Sequence, residues 1–231
     1  MKKNIIFDAG PVISLAINNL LFLLEPLRNQ FNGDFIITPT VKKEIIDKPL
    51  STKKFEFEAL RINEQIKNNT IKIIESDSIQ QRSKEILELA NSCFKAKGNY
   101  IKIVHPGETE AIAAALELES EALVVDERIT RYLIEKPEEI SERLKKKLHT
   151  KVEVDKENLS KLRSIIKNIK VIRSVELSIA AYELGLLDKF IPEVKNPDKT
   201  LLHSILWALK LNGCAIGEDE IKEIIRIELA N

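Results

Sequence analysis

Two rhythms of apolar positions alternate along this chain. Short unbroken runs, Ile5-Ile6-Phe7, Phe35-Ile36-Ile37 and Ala122-Leu123-Val124-Val125, are too brief for helices and predict strands buried on both faces. Ile71-Lys72-Ile73-Ile74 and Ile169-Lys170-Val171-Ile172 add two more strands. Between the runs, apolar residues recur at helical spacing. After Pro11, which suits a first turn that needs no amide donor, Val12, Ile13, Leu15, Ala16, Leu20, Leu23 and Leu24 carry a helical region to about Leu27. Pro39 and Thr40 open a helix bearing Val41, Ile45 and Ile46. Residues 53–66 predict a polar helix, and residues 79–96 an amphipathic one marked by Ile86, Leu87 and Leu89. Past the Pro106-Gly107 break, Glu108 begins a helix whose Ala111, Ile112, Ala113, Ala114 and Ala115 are small, as close packing on a sheet requires. Strands and helices that alternate in this way predict an α/β fold around a parallel sheet.

Beyond Asp126 the pattern changes. A helix around residues 130–134 gives way at Pro137 to two charged helices, at residues 138–148 and 156–168, which read as an insertion ahead of the last strand. A helix at 175–187 follows, and residues 200–211 and 219–229 predict a terminal pair. In the first of that pair Leu201, Leu202, Ile205, Leu206, Trp207 and Leu209 are apolar around most of the helix, which suits either a core position or a contact between subunits.

Composition narrows the class. At 231 residues and 44% hydrophobic content the chain can bury a substantial core. Lys and Arg number 36, as do Asp and Glu, so net charge argues neither for nor against a nucleic-acid partner. The distribution says more: residues 104–127 hold seven acids and no Lys or Arg, whereas residues 145–173 hold ten basic residues against three acidic ones. Cys93 and Cys214 are too few for a disulfide framework and read as buried free thiols. Asp8 and Gly10-Pro11 interrupt the first apolar stretch, and nowhere do eighteen apolar residues run together, so the expected location is the cytoplasm, with no membrane partner.

The chemistry rests on four acids. Asp8 closes the first strand and Asp126 the Ala122 run, Glu108 opens a helix, and Glu44 follows Val41 by three residues, near the packed face of its helix. A parallel sheet gathers such positions at the edge where open α/β sheets bind their ligands. Oxygen-only donors suit hard cations, and converging carboxylates without a cation is costly, since like charges oppose one another's ionisation. Each acid also has a plain structural role: Asp8 or Asp126 as a helix N-cap, Glu108 as a favourable charge in a first turn, Glu44 as a solvated helix residue. It is the joint pattern that predicts a divalent metal site. His105 stands beside the Pro106-Gly107 turn, but there is no His pair at the spacing zinc would need.

Ile5-Ile6-Phe7-Asp8-Ala9-Gly10-Pro11-Val12-Ile13, then Val41-Lys42-Lys43-Glu44, then Gly107-Glu108-Thr109-Glu110-Ala111-Ile112, and finally Val124-Val125-Asp126-Glu127-Arg128 resemble, in order and spacing, the successive signatures of the PIN domain family. The resemblance covers most of the first 133 residues, and Lys170-Val171-Ile172-Arg173-Ser174 through Gly185-Leu186-Leu187 is similar to the last strand and helix of a prokaryotic branch. It implies a three-layer α/β/α sandwich with a central parallel sheet of four or five strands, and Mg²⁺- or Mn²⁺-dependent cleavage of single-stranded or structured RNA. By position it makes Asp8, Glu44, Glu108 and Asp126 the catalytic and metal-binding acids. The eighteen-residue separation from Asp126 selects Glu108 over Glu110, which with Glu127 stays an outer candidate. The expected domains are residues 1–187, PIN-like with a helical insertion at about 135–168, and a helical extension at 188–231. Three positions depart from the family pattern: Gly10 replaces a small hydroxyl residue, Glu108 the commoner Asp, and Val125 a frequent Thr or Ser.

Lys145, Lys146, Lys147 and Arg173 are the expected RNA contacts beside the acids, since Lys and Arg supply sequence-independent affinity for phosphate. The same charge run also suits a solvated helix face. The leading expectation is therefore a PIN-type endoribonuclease, as a toxin held by an antitoxin protein or as an RNA-processing enzyme, with a homodimer permitted by the Trp207 helix. The alternative is a PIN-like module of weak or no catalysis that binds RNA or protein. Phosphoryl transfer to Asp8 fits less well, because haloacid-type phosphatases need a second Asp where this chain has Gly10, and the acidic pair of receiver domains is missing.

Overall fold

The computed structural model describes residues 2–230. In chain order its strands are β1 (Asn4–Phe7), β2 (Asp34–Ile37), β3 (Ile71–Ile73), β4 (Phe94–Ala96), β5 (Asn99–Tyr100), β6 (Ala122–Val124), β7 (Val152–Val154) and β8 (Val171–Ile172). The helices are α1 (Ala9–Ile17), α2 (Leu24–Phe31), α3 (Pro39–Lys42), α4 (Lys48–Leu50), α5 (Glu56–Lys67), α6 (Asp77–Ala90), α7 (Pro106–Glu117), α8 (Arg128–Glu135), α9 (Ile140–Leu148), α10 (Lys156–Ile165), α11 (Ser174–Glu183), α12 (Pro197–Leu211) and α13 (Glu218–Glu228).

Five strands form a parallel sheet in the order β3-β2-β1-β6-β8. The two-residue period of a strand divides their side chains between two hydrophobic layers. Ile5, Phe7, Phe35, Ile37, Ile71 and Val124 point into one, shared with α1, α5, α11, α12 and α13. Ile6, Ile36 and Leu123 point into the other, where the alanines of α7 meet Ile79 and Ile86 of α6 and Leu162 of α10. The result is the expected α/β/α sandwich. Leu201, Leu202, Leu206 and Leu209 of α12 are buried in the first layer, so the apolar run of that helix faces the core.

The helical region after Pro11 is not continuous. α1 ends at Asn18, and Asn19 takes a left-handed conformation (φ 60°). The Leu20 amide donates to the Leu15 carbonyl at 2.8 Å and the Asn19 amide to Ala16 at 3.1 Å. That is a Schellman stop, with Asn in the position glycine usually fills. A single 3-10 turn at Leu21–Leu23 then leads into α2.

A second correction concerns residues 79–96. The helix ends at Ala90, and Phe94–Ala96 is a strand, β4, with β5 and β7 antiparallel on its two sides. Lys97 and Gly98 both have positive φ (50° and 80°), the geometry of a tight hairpin turn that follows strand twist. Asn91 secures the change of direction, its side-chain oxygen accepting from the amides of Ile103 (2.7 Å) and Val104 (3.1 Å). β7 lies between the two expected helices of the inserted segment, at residues for which the sequence pattern predicts no element, and its pairing with β4 pins that segment to the sandwich.

Candidate functional site

The sheet order fixes where the site lies. From β1 the chain moves outward through β2 and β3, then returns to place β6 on the other flank of β1. The order reverses between β1 and β6, and at such a switch point the loops diverge and leave a crevice at the carboxyl ends. Asp8 follows β1 directly, and Asp126 lies just past β6.

Asp8 is the N-cap of α1 and is buried. Burial raises its carboxyl from 3.8 to about 7; the charge of Glu108 and then of Glu44 adds to this, while the amides of Ala9 and Gly10 partly offset it. Glu44 lies in a π-helical turn, Lys43–Asp47, that carries the chain from α3 into α4. Its carboxyl is also raised, by burial and by Glu108, against the opposing influence of His105 and Lys48. Gly107 accounts for how close α7 approaches: a Cβ there would stand 2.7 Å from an Oε of Glu44. The Glu44 carboxylate can pack against residue 107 only because that residue lacks a side chain.

The other two acids are tied down. Glu108, at the third position of α7, accepts the His105 amide at 2.6 Å and the Thr130 hydroxyl at 2.7 Å, one on each oxygen. Burial raises its carboxyl, and these two bonds oppose the rise. Asp126 accepts the Ser174 amide (2.8 Å) and hydroxyl (2.7 Å), again one on each oxygen. Its carboxyl is raised by burial, with Ser174 and the Cys214 thiol pulling the other way.

The outer candidates have capping duties. Glu110 is buried and accepts the Thr40 amide at 2.9 Å, holding the start of α3. Glu127 caps α8 by accepting the Thr130 amide at 2.7 Å. Both also add negative charge around the site, Glu110 toward Glu44 and Glu127 toward Glu108.

Of the basic residues, Lys145, Lys146 and Lys147 are exposed on the last turn of α9. Lys147 lines a cleft of about 420 Å³ with Arg128, Arg143, Asp126 and Glu127, so positive charge does border the acids. Arg173 does not share that surface. Its guanidinium is buried, paired with Glu176 and with Glu220 (2.6 Å), and donates to the Ala215 carbonyl at 3.3 Å. A guanidinium already held by two carboxylates joins α11 to α13 and has little left for phosphate.

Several site residues escaped the sequence reading. Ser174 and Thr130 position the fixed acids, and their only sequence signal is a hydroxyl at or near a helix start. Cys214 and Ala215 arrive from beyond α12, the Ala215 amide donating to the Asp126 carbonyl at 3.1 Å. No local pattern announces that contact.

The donor set has the chemistry of a hard-cation site, carboxylate oxygens alone. Among the described residues, no three His, Cys, Asp or Glu side chains stand close enough together to hold a metal ion as they are. The bonds to Glu108 and Asp126 are the physical reason, since each carboxylate is turned toward its own hydroxyl donor.

A five-stranded parallel sheet in a three-layer sandwich, with acids near its switch point, defines an α/β protein with an acidic ligand edge. Residues 4–138 match the family model DUF3368, described as a PIN domain, over more than half of the chain, and the protein belongs to this family. PIN domains are generally metal-dependent nucleases. No curated protein matches the chain. Among the described residues, no single helix is long and apolar enough to cross a membrane.

Proposed function

We propose that this protein is an endoribonuclease that hydrolyses RNA phosphodiester bonds at the β1/β6 edge, with Asp8, Glu44, Glu108 and Asp126 as the residues that would hold Mg²⁺ or Mn²⁺. One observation carries the reading: a buried Asp8 faces the like charges of Glu44 and Glu108. Such an arrangement costs stability unless a cation compensates it. A divalent cation bound there supplies charge against the phosphate and makes water a stronger nucleophile near neutral pH.

The chain's own residues do the rest. Asp8 and Glu44 present carboxylates that few internal donors occupy, while Thr130 and Ser174 hold Glu108 and Asp126 in place. Arg128, Arg143 and Lys147 line the cleft beside Asp126 and bind phosphates flanking the cut. Lys145 and Lys146 extend that charge along α9.

The test is cleavage of a panel of structured and unstructured RNAs with Mg²⁺ or Mn²⁺, with the cut sites mapped, by wild type and Asp8→Asn. Metal-dependent cutting by wild type alone supports the reading; intact RNA throughout, or equal cutting by both proteins, sinks it. A second reading, a PIN-like RNA- or protein-binding module of weak or no activity, has its own observation: Glu108 and Asp126 spend both oxygens on internal hydrogen bonds. RNA binding without cleavage in the same assay selects it. On the ribonuclease reading the physiological role is that of a toxin held by an antitoxin protein, or of an RNA-processing enzyme. A neighbouring small gene for a DNA-binding antitoxin favours the first. A homodimer and a cytoplasmic location belong to the same proposal.

A further inference from the structure

A second cavity, of about 280 Å³, lies beside Glu44 and is lined by none of Asp8, Glu108 and Asp126. Its walls are mainly apolar: Ile13 of α1, Ile45 of the π-helical turn, Ile62 of α5, and the Phe55 ring. Ile45 and Ile62 are buried, but Phe55 is 41% exposed, and its backbone is left-handed (φ 63°), a conformation that bulky aromatic residues seldom adopt. The position heads α5 without capping it through its side chain. Lys48 and Lys54, both exposed, line the same cavity, with Lys54 Nζ 4.8 Å from the centre of the Phe55 ring. Thr52 and Glu58 add hydrogen-bonding groups.

An apolar slot with one aromatic wall, and with exposed Lys48 and Lys54 beside the carboxylates of Glu44 and Glu58, matches the amphipathic character of a nucleotide: a flat ring to stack, polar edges to hydrogen-bond and a phosphate for the exposed cations. Glu44 is shared between the slot and the acid edge, so a ring seated here belongs to a strand whose backbone passes the acids. A base inside a duplex has no free face to offer. We propose that this cavity receives one unpaired nucleobase of the RNA, stacked on Phe55, with Lys48 and Lys54 holding an adjacent phosphate. The inference rests on the ribonuclease reading and deepens it, naming Phe55 as a determinant of where the strand seats.

The test measures binding and cutting separately. A short labelled single-stranded RNA, and the same RNA with abasic sites scanned across the mapped cut region, are titrated by fluorescence anisotropy into wild type, Phe55→Ala and Phe55→Trp. Phe55→Ala is expected to weaken binding of the intact RNA by roughly ten-fold or more, the range for losing one base–aromatic stack. Phe55→Trp should restore the affinity. The abasic RNA that removes the seated base should bind wild type and Phe55→Ala alike. Retained binding of intact RNA by Phe55→Ala, or an equal loss for every abasic RNA, overturns the pocket while leaving metal-dependent cleavage by wild type to stand. Absence of both binding and cleavage by wild type overturns the ribonuclease reading and the pocket together. A concentration-dependent increase in mass that Phe55→Ala abolishes assigns the slot to a second copy of the chain and also overturns it.

Discussion

The two halves of the acid edge are built differently. On the β1/β2 side, the carboxyls of Asp8 and Glu44 are both raised by burial and by the charge of Glu108, and Glu44 lines an apolar slot and packs against Gly107. On the β6/β8 side, Asp126 and Glu108 are each held by two donors beside a cleft lined with Arg128, Arg143 and Lys147. The difference teaches that four similar carboxylates are not equivalent. The first pair carries uncompensated charge, which is what a cation would relieve, and the second carries hydrogen bonds, which maintain geometry.

The largest contrast should come from Asp8→Asn. This variant is expected to bring metal-dependent RNA cleavage to background and also to make the metal-free protein more stable at neutral pH. The sign follows from linkage. Asp8 is near 3.8 when unfolded and about 7 when folded, so between these values the folded protein binds more protons and its stability falls as pH rises, with the whole penalty present above 7. The penalty is up to about 4 kcal/mol. Urea melts of the metal-free wild type from pH 4 to 8 should show the decline, and Asp8→Asn should flatten it; parallel curves would contradict uncompensated charge at Asp8.

Next is Gly107→Ala. The added Cβ meets the end of the Glu44 side chain, which can swing aside, so the fold should survive while the carboxylate is displaced. Calorimetry with Mn²⁺ is expected to show affinity lower by about ten- to a hundred-fold, the usual range for disturbing the setting of a metal ligand. An unchanged isotherm would remove Glu44 from the site.

Ser174→Ala tests the tethered side. It deprives a buried carboxylate of its hydroxyl donor and should cost about 1–3 kcal/mol in unfolding free energy, with less effect on Mn²⁺ binding than Gly107→Ala. The reverse ranking would invert the division between the two pairs. Smallest is Lys147→Ala, which should weaken all RNAs alike and lower the salt slope of binding by about one. A change in sequence preference would show that Lys147 touches bases.

The layers were legible because a buried strand and an amphipathic helix each impose a local period, and Ile5 to Phe7 or Ala111 to Ala115 display it without reference to the rest of the molecule. Placing Asp8, Glu44, Glu108 and Asp126 at one edge followed from chain order in a parallel sheet. The small sheet was hidden because β4, β5 and β7 have only two or three residues each, too few to establish a period. Arg173 misled for a related reason: charge in a sequence does not say whether a carboxylate from elsewhere, here Glu220, will be waiting for it.

By itself the sequence determined the five strands of the main sheet and most of the helices between them, that the sheet is parallel, and that Asp8 and Asp126 fall at its carboxyl edge, because all of these depend on local periodicity and on the order of elements. Tertiary structure alone decided which carboxylates are tethered and which are not, that Glu44 packs against Gly107, and that Phe55, Ile62 and Glu44 bound one cavity. Those are distances between segments far apart in the chain, set by how the layers close, and no local pattern encodes them.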